Sequence, residues 1–198
     1  MILSNIEYIV LRLIRRFVFT SEFLIKYGKY LPYYNVNLNQ LNPISIISEY
    51  KKYLNIAKID PMGLVSILEI GVGATNSTGY EMAHQGFAQG GKIFMLEPYT
   101  VFDPLLDNKL FTTIGYDEAI RNKVNRLTNI SGIKTNSVDL ILSNSVLEHV
   151  EDFLDLMGQL RRVLKPKEYM LHIVDYRDHF LNIPIISCSF QRIFGISF

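Results

Sequence analysis

Val65-Ser66-Ile67-Leu68-Glu69-Ile70-Gly71-Val72-Gly73-Ala74-Thr75-Asn76 decides how the rest of the chain is read. An apolar run of this length, bounded by a turn signal and ending in glycine, reads as a buried strand. Gly71 and Gly73 then let the backbone turn sharply and approach a ligand closely, and the helix that follows offers N–H groups at its start. Tight turns alone also select glycine, so the stretch gains meaning only from its surroundings. A full G-x-G-x-x-G dinucleotide fingerprint needs glycine at position 76, where this chain has Asn76. That side chain would obstruct a pyrophosphate lying on the backbone, which weakens a nicotinamide-dinucleotide reading.

Working outward, the run Lys92–Leu96 reads as a second strand and closes in Glu97. A carboxylate there can accept both hydroxyls of a ribose, and core packing does not call for a charge; a solvated surface charge is the plainer alternative. Glu97 follows Gly71 by 26 residues, more than the ~20 usual for dinucleotide folds, so the intervening segment through Gly86, Gly90 and Gly91 is extended. Val138–Leu142 and Tyr169–Val174 read as further strands, and residues 124–133 must supply one more. On the N-terminal side, Ser45–Ile56 reads as a short helix, followed by the turn signal Asp60-Pro61-Met62-Gly63. Strands alternating with helical segments imply a parallel sheet with helical crossovers, an α/β fold.

The stretch Ser137 to Val150, SVDLILSNSVLEHV, followed by Leu160 to Pro166, LRRVLKP, makes a specific resemblance visible. Together with EIGVG and the acidic close of the second strand, it is similar to a class I S-adenosylmethionine-dependent methyltransferase over roughly residues 66–180. The resemblance implies a Rossmann-like doubly wound sheet and S-adenosyl-L-methionine as cofactor. By that resemblance Glu69, Gly71, Val72, Gly73, Ala74 and Thr75 form the first cofactor motif, Glu97 and Pro98 hold the ribose side, and Ser143, Asn144 and Ser145 line the pocket beyond the fourth strand. Asn129-Ile130-Ser131 is the candidate for the adenine side. Two positions depart from the family pattern: Thr75 replaces a third glycine, and Lys167-Glu168 replaces a Gly-Gly turn.

A sulfonium methyl group is already activated, so the protein has mainly to align a nucleophile and remove a proton where the acceptor is a hydroxyl. The segment after the fifth strand, His172 to His179, is dense in ionisable groups at the strand end where open α/β sheets bind ligands. Asp175 and His179 are the candidate bases and Arg177 a candidate for positioning an anionic acceptor. His149, beside the pocket at the expected start of a helix, is a third catalytic candidate, with helix capping or substrate contact as its alternatives. His172 reads as a hydrogen-bonded core histidine. His172 and Asp175 fall on opposite faces of a strand, which argues against a shared metal; no metal site is expected. After Asp175 the 23 remaining residues are too few for the helix and two strands that usually complete the family fold. The expectation is a shortened or truncated domain, so a catalytically idle methyltransferase-like binding protein stands as the alternative function.

The whole chain has 198 residues, 48% hydrophobic and 20% charged, with 20 Lys and Arg against 19 Asp and Glu. That balance suits a folded domain and supplies no field to draw in a polyanion, so nucleic acid is not an expected partner. Cys188 is the single cysteine, which excludes an internal disulfide framework and fits a cytoplasmic protein. Residues 1–42 form a separate extension ahead of the domain at 43–198. There Ile6, Ile9, Val10, Leu13, Ile14 and Phe17 recur at helical spacing, with Arg12, Arg15 and Arg16 largely off that stripe. Such an amphipathic helix either covers the domain or lies on an anionic membrane surface, at its inner face. The expected acceptor is an oxygen or nitrogen of a small molecule or glycan; oligomeric state is not legible.

Overall fold

In the computed structural model the described residues are 42–174. Helix α1 spans Pro43–Ile56, β1 Ser66–Ile70, α2 Ser77–His84, β2 Lys92–Leu96, α3 Pro104–Ile114, β3 Val124–Leu127, β4 Val138–Asn144, α4 Phe153–Val163 and β5 Leu164–Ile173. Short 3-10 turns at Glu118–Lys123, Ile130–Gly132 and Leu147–His149 join them. The five strands form one sheet in the order β3-β2-β1-β4-β5, and every pairing is parallel. The order reverses between β1 and β4, the switch point at which the C-terminal strand ends of doubly wound folds open a crevice for ligands. The extension at 1–42 and the acidic and basic residues after Val174, Asp175, Arg177 and His179 included, fall outside the described residues apart from Asn42.

Both faces of the sheet are buried, which is why β1 reads as a nearly continuous apolar run and not as an alternation. On one face Ile67, Ile93, Met95, Leu140 and Leu142 pack with Ile47, Tyr50 and Leu54 of α1, Met82 of α2 and Phe111 of α3. On the other, Leu68, Ile70, Ile141 and Met170 pack with Leu160 and Val163 of α4 and with Ile130 and Ile133. Helix α4 meets this face through Leu156, Met157, Leu160 and Val163, positions three to four residues apart. Its first turn is capped by Asp152, whose carboxylate accepts the Asp155 N–H at 2.9 Å. At the end of the sheet away from the switch point, Asp139 accepts the N–H groups of Val65 at 3.0 Å and Ser66 at 2.8 Å and pairs with Lys165. One carboxylate thereby ties the starts of β1, β4 and β5. Burial alone would raise its pKa, but these donors bring it below the ordinary value.

Two elements differ from the sequence-based expectation. The third strand occupies only Val124–Leu127, because Asn129 turns the chain by accepting the Ser131 N–H at 2.8 Å. The fifth strand begins at Leu164, five residues before Tyr169, with no loop after α4. Its register slips between Val138↔Leu164 and Leu140↔Tyr169, so the KPKE stretch forms a bulge. Lys167 carries it at φ 68, the left-handed conformation for which the family pattern uses glycine.

Candidate functional site

The loop from Gly71 to Asn76 leaves β1 at the switch point. Gly71 at φ 71 and Gly73 at φ 67 both occupy the left-handed region, but for different reasons. A Cβ on Gly71 would lie 2.3 Å from Val146 Cγ2, so this glycine lets the β4–α4 loop pack directly on the β1–α2 loop. A Cβ on Gly73 would meet nothing within 4 Å. The Gly73 peptide therefore faces open space, as a backbone that cradles a ligand must.

Glu97 closes β2 beside this loop. Its carboxylate is 5% exposed and accepts three backbone N–H groups: Gly73 at 2.8 Å on Oε2, and Tyr99 and Thr100, each at 3.0 Å, on Oε1. It thus sets the approach of the β1–α2 loop to the β2–α3 loop. A carboxylate offers about four lone-pair sites, so Oε2 keeps acceptor capacity beside the Gly73 cradle. Pro98 follows, exposed at the rim.

The start of α2 is tied to α3. Asp107 of α3, 3% exposed, accepts the Asn76 N–H at 2.7 Å and the Tyr80 hydroxyl at 2.8 Å. A buried carboxylate therefore sits beside the helix start, paired with the Arg121 guanidinium at 3.8 Å. Around the same end of the sheet, residues 71–77, 97–105, 128–133 and 144–155 contain no Lys or Arg, while Glu97, Asp103, Glu148, Glu151, Asp152 and Asp155 are all present. Arg126 brings a cation into this mouth from β3, where it reaches the carbonyls of Gly73, Thr75 and Thr100.

The remaining sequence candidates are placed as follows. Glu69 is 3% exposed and points to the α1–α2 face, where it accepts the Tyr50 hydroxyl at 2.9 Å and the Thr78 hydroxyl at 2.6 Å. Burial pushes its pKa up to about 7 against the lowering effect of those two donors. Val72 and Ala74 are half-buried, and the Ala74 carbonyl accepts the Asp103 N–H at 2.9 Å. Thr75 is buried, with its hydroxyl donated to Ser77 at 3.1 Å. Ser143 is fully buried, and its Oγ lies 2.7 Å from His172 Nδ1. His172 is a core histidine, 1% exposed, with its pKa lowered to about 4 by burial; its Nε2 has no hydrogen-bond partner. Asn144 is half-buried and Ser145 exposed; Ser145 adopts φ 54 and its N–H donates to the Ile173 carbonyl at 2.8 Å. His149 is exposed at the end of the 3-10 turn Leu147–His149, and α4 begins only at Phe153. Asn129 uses its side chain on its own turn.

Sequence reasoning missed Asp107 and Arg126. The burial of Asp107 depends on partners 27 and 31 residues away, so no local pattern marks it. Arg126, in the strand VNRL, reaches the carbonyls of Gly73, Thr75 and Thr100 and the Asn76 side chain. A charge inside a four-residue strand was the available signal.

The family described as "Methyltransferase domain" matches residues 68–172, more than half of the 198-residue chain. The chain belongs to this family, that of the class I S-adenosylmethionine-dependent methyltransferases. No curated protein matches it. Among solved structures, an S-adenosylmethionine-dependent methyltransferase from Aquifex aeolicus is 17% identical, with TM-score 0.46 over 76% of this chain and 73% of that one. One from Mesorhizobium loti is 18% identical, with TM-score 0.43 over 60% of this chain and 50% of that one. Phosphoethanolamine N-methyltransferase 2 from Haemonchus contortus, solved with S-adenosylmethionine, is 20% identical, with TM-score 0.45 over 60% of this chain and 26% of that one. This chain thus spans about half the length of the Mesorhizobium protein.

Proposed function

We propose that the chain binds S-adenosyl-L-methionine in the Gly71–Asn76 loop and transfers its methyl group to an oxygen or nitrogen of a small molecule or glycan. The observation that carries this is the Gly73 peptide, open on its Cβ side and flanked by the buried Glu97 carboxylate. The cofactor supplies an activated methyl group, so the residues of the chain have three tasks. The loop and Glu97 fix the position of the donor. The mouth admits a small acceptor, and the near-balanced charge of the chain, 20 Lys and Arg against 19 Asp and Glu, draws in no nucleic acid. A base at the strand ends takes the acceptor proton; Asp175 and His179 are our candidates from sequence, with His149 at the rim. In this reading the protein is cytoplasmic, and the amphipathic pattern of its N-terminal segment serves to cover the domain or to make peripheral contact with a membrane.

A second reading, a methyltransferase-like protein that binds without transferring, is favoured by one observation: three backbone N–H groups of the chain already occupy Glu97. Methyl-labelled S-adenosylmethionine offered with hydroxyl and amine acceptors, small molecules and glycans alike, separates the two. Label should appear on one acceptor class and vanish with Gly73→Arg, which fills the cradle. Cofactor binding without transfer to any acceptor supports the second reading.

A further inference from the structure

We propose that Arg126 is the positioning residue of the cofactor loop. The inference rests on the reading of Gly71–Asn76 as the S-adenosylmethionine site. Arg126 stands on β3 in register with Met95, and its guanidinium reaches across β2 to both loops at the switch point. Nη2 donates to the carbonyl of Gly73 and, at 3.4 Å, to that of Thr100. Nη1 donates to the Thr75 carbonyl at 3.3 Å and to Asn76 Oδ1 at 3.1 Å. The guanidinium Cζ lies 5.0 Å from the Phe102 ring centroid.

These four acceptors match the four N–H bonds of the two terminal nitrogens. The fork is thereby committed to the chain's own carbonyls, so its role is to shape the loop and not to bind an anion. The consequence falls on Gly73. Glu97 accepts its N–H and Arg126 donates to its carbonyl, so the two peptide units that flank this residue are each held by a side chain and its φ and ψ are fixed between them. A left-handed glycine without such a grip samples several conformations, and a ligand would have to select one of them. Lysine cannot replace this fork, because a single ammonium nitrogen has no planar pair of donors to span two loops.

The test uses the full chain, with S-adenosylhomocysteine as the calorimetric probe and amide hydrogen exchange as a second readout. Arg126→Ala should weaken probe binding by about 10- to 100-fold, the scale lost when the groups that orient a ligand site are removed. The exchange of the Gly73 amide should speed by about tenfold or more while the amides of β1 and β4 keep their protection, as expected of a local opening. Arg126→Lys should lose most of the affinity at an unchanged thermal midpoint, and it carries the test if the alanine variant does not fold. Millimolar methylguanidinium should restore part of the affinity of Arg126→Ala and leave the wild type unaffected. Unchanged affinity in both variants overturns the proposal, as does a loss of protection spread over β1 and β4, the mark of a merely structural residue. If the wild type itself does not bind the probe, the cofactor reading fails, and the Gly73 exchange rate alone still decides whether Arg126 grips the loop.

Discussion

The half of the sheet built on β1, β2 and β3 is held together differently from the half built on β4 and β5. Across the first, side chains from distant parts of the chain grip loop backbone: Glu97 on Gly73, Asp107 on Asn76, Arg126 on Gly73, Thr75 and Thr100. Beyond the second, the loop after Ser145 is folded by local backbone bonds, His149 N–H to Val146 at 2.9 Å and Val150 N–H to Leu147 at 3.4 Å. It leads into Phe153 and Leu154, 46% and 82% exposed. Long-range side-chain bonds make a loop open only with its surroundings. The Gly73 loop is held in that way by polar side chains, whereas the loop after Ser145 joins its surroundings through the Ser145 N–H on the Ile173 carbonyl and through Val146 packed at Gly71.

The two halves meet at Gly71, and breaking that joint should have the largest effect. Gly71→Ala places a Cβ against Val146 and in a left-handed conformation. It should cost about 3 kcal/mol of stability, overpacking and backbone strain together. Gly73→Ala, with open space around it, should cost only about 1 kcal/mol. Denaturant midpoints compare the two, and equal losses would remove the distinction.

The halves should also respond to pH with opposite sign. Glu69 has its pKa raised from 4.5 to about 7, so its contribution to stability is full below pH ~4.5 and is lost as pH rises through about 7. His172 has its pKa lowered from 6.5 to about 4, so its contribution is full above pH ~6.5 and is lost as pH falls through about 4. Each is worth up to about 3 kcal/mol, and between pH ~4.5 and ~6.5 they oppose each other. Glu69→Gln should remove the loss at rising pH and make the chain fall off more steeply in acid. Stability curves at pH 5 and 8 that run parallel for wild type and variant would contradict this.

Glu97→Ala should weaken cofactor affinity by about 1.5 to 3 kcal/mol, the scale of hydrogen bonds to a charged group, with the domain still folded. Calorimetry checks it, and an unchanged affinity would mean that the ribose is held elsewhere. The smallest effect belongs to the β5 bulge, where Lys167→Gly should stabilise by about 0.5 to 1 kcal/mol because the residue stands at φ 68. A lower thermal midpoint would show that the bulge does not strain Lys167.

What was legible in the sequence follows the same division. The strands whose residues are buried on both faces, Ser66–Ile70, Lys92–Leu96 and Val138–Asn144, stood out as apolar runs, and Gly71, Gly73 and Glu97 marked the loop and strand ends. Asp107 and Arg126 did not stand out, because an acid in a helix and a base in a short strand acquire meaning only through partners the fold brings to them. The start of β5 was hidden by Lys165-Pro166-Lys167-Glu168, which reads as a turn and folds as a bulge within the strand. The resemblance places Ser143 in the pocket, and the sheet register sets it beside His172 of β5, whose ring nitrogen its hydroxyl meets.

Calorimetric titration of the full chain with S-adenosylhomocysteine, repeated in the presence of NADH, tests the central claim most directly. The open Gly73 cradle beside Glu97, with Asn76 where a dinucleotide fingerprint needs glycine, predicts micromolar binding of S-adenosylhomocysteine that NADH does not compete away. Binding of NADH without binding of S-adenosylhomocysteine would contradict it.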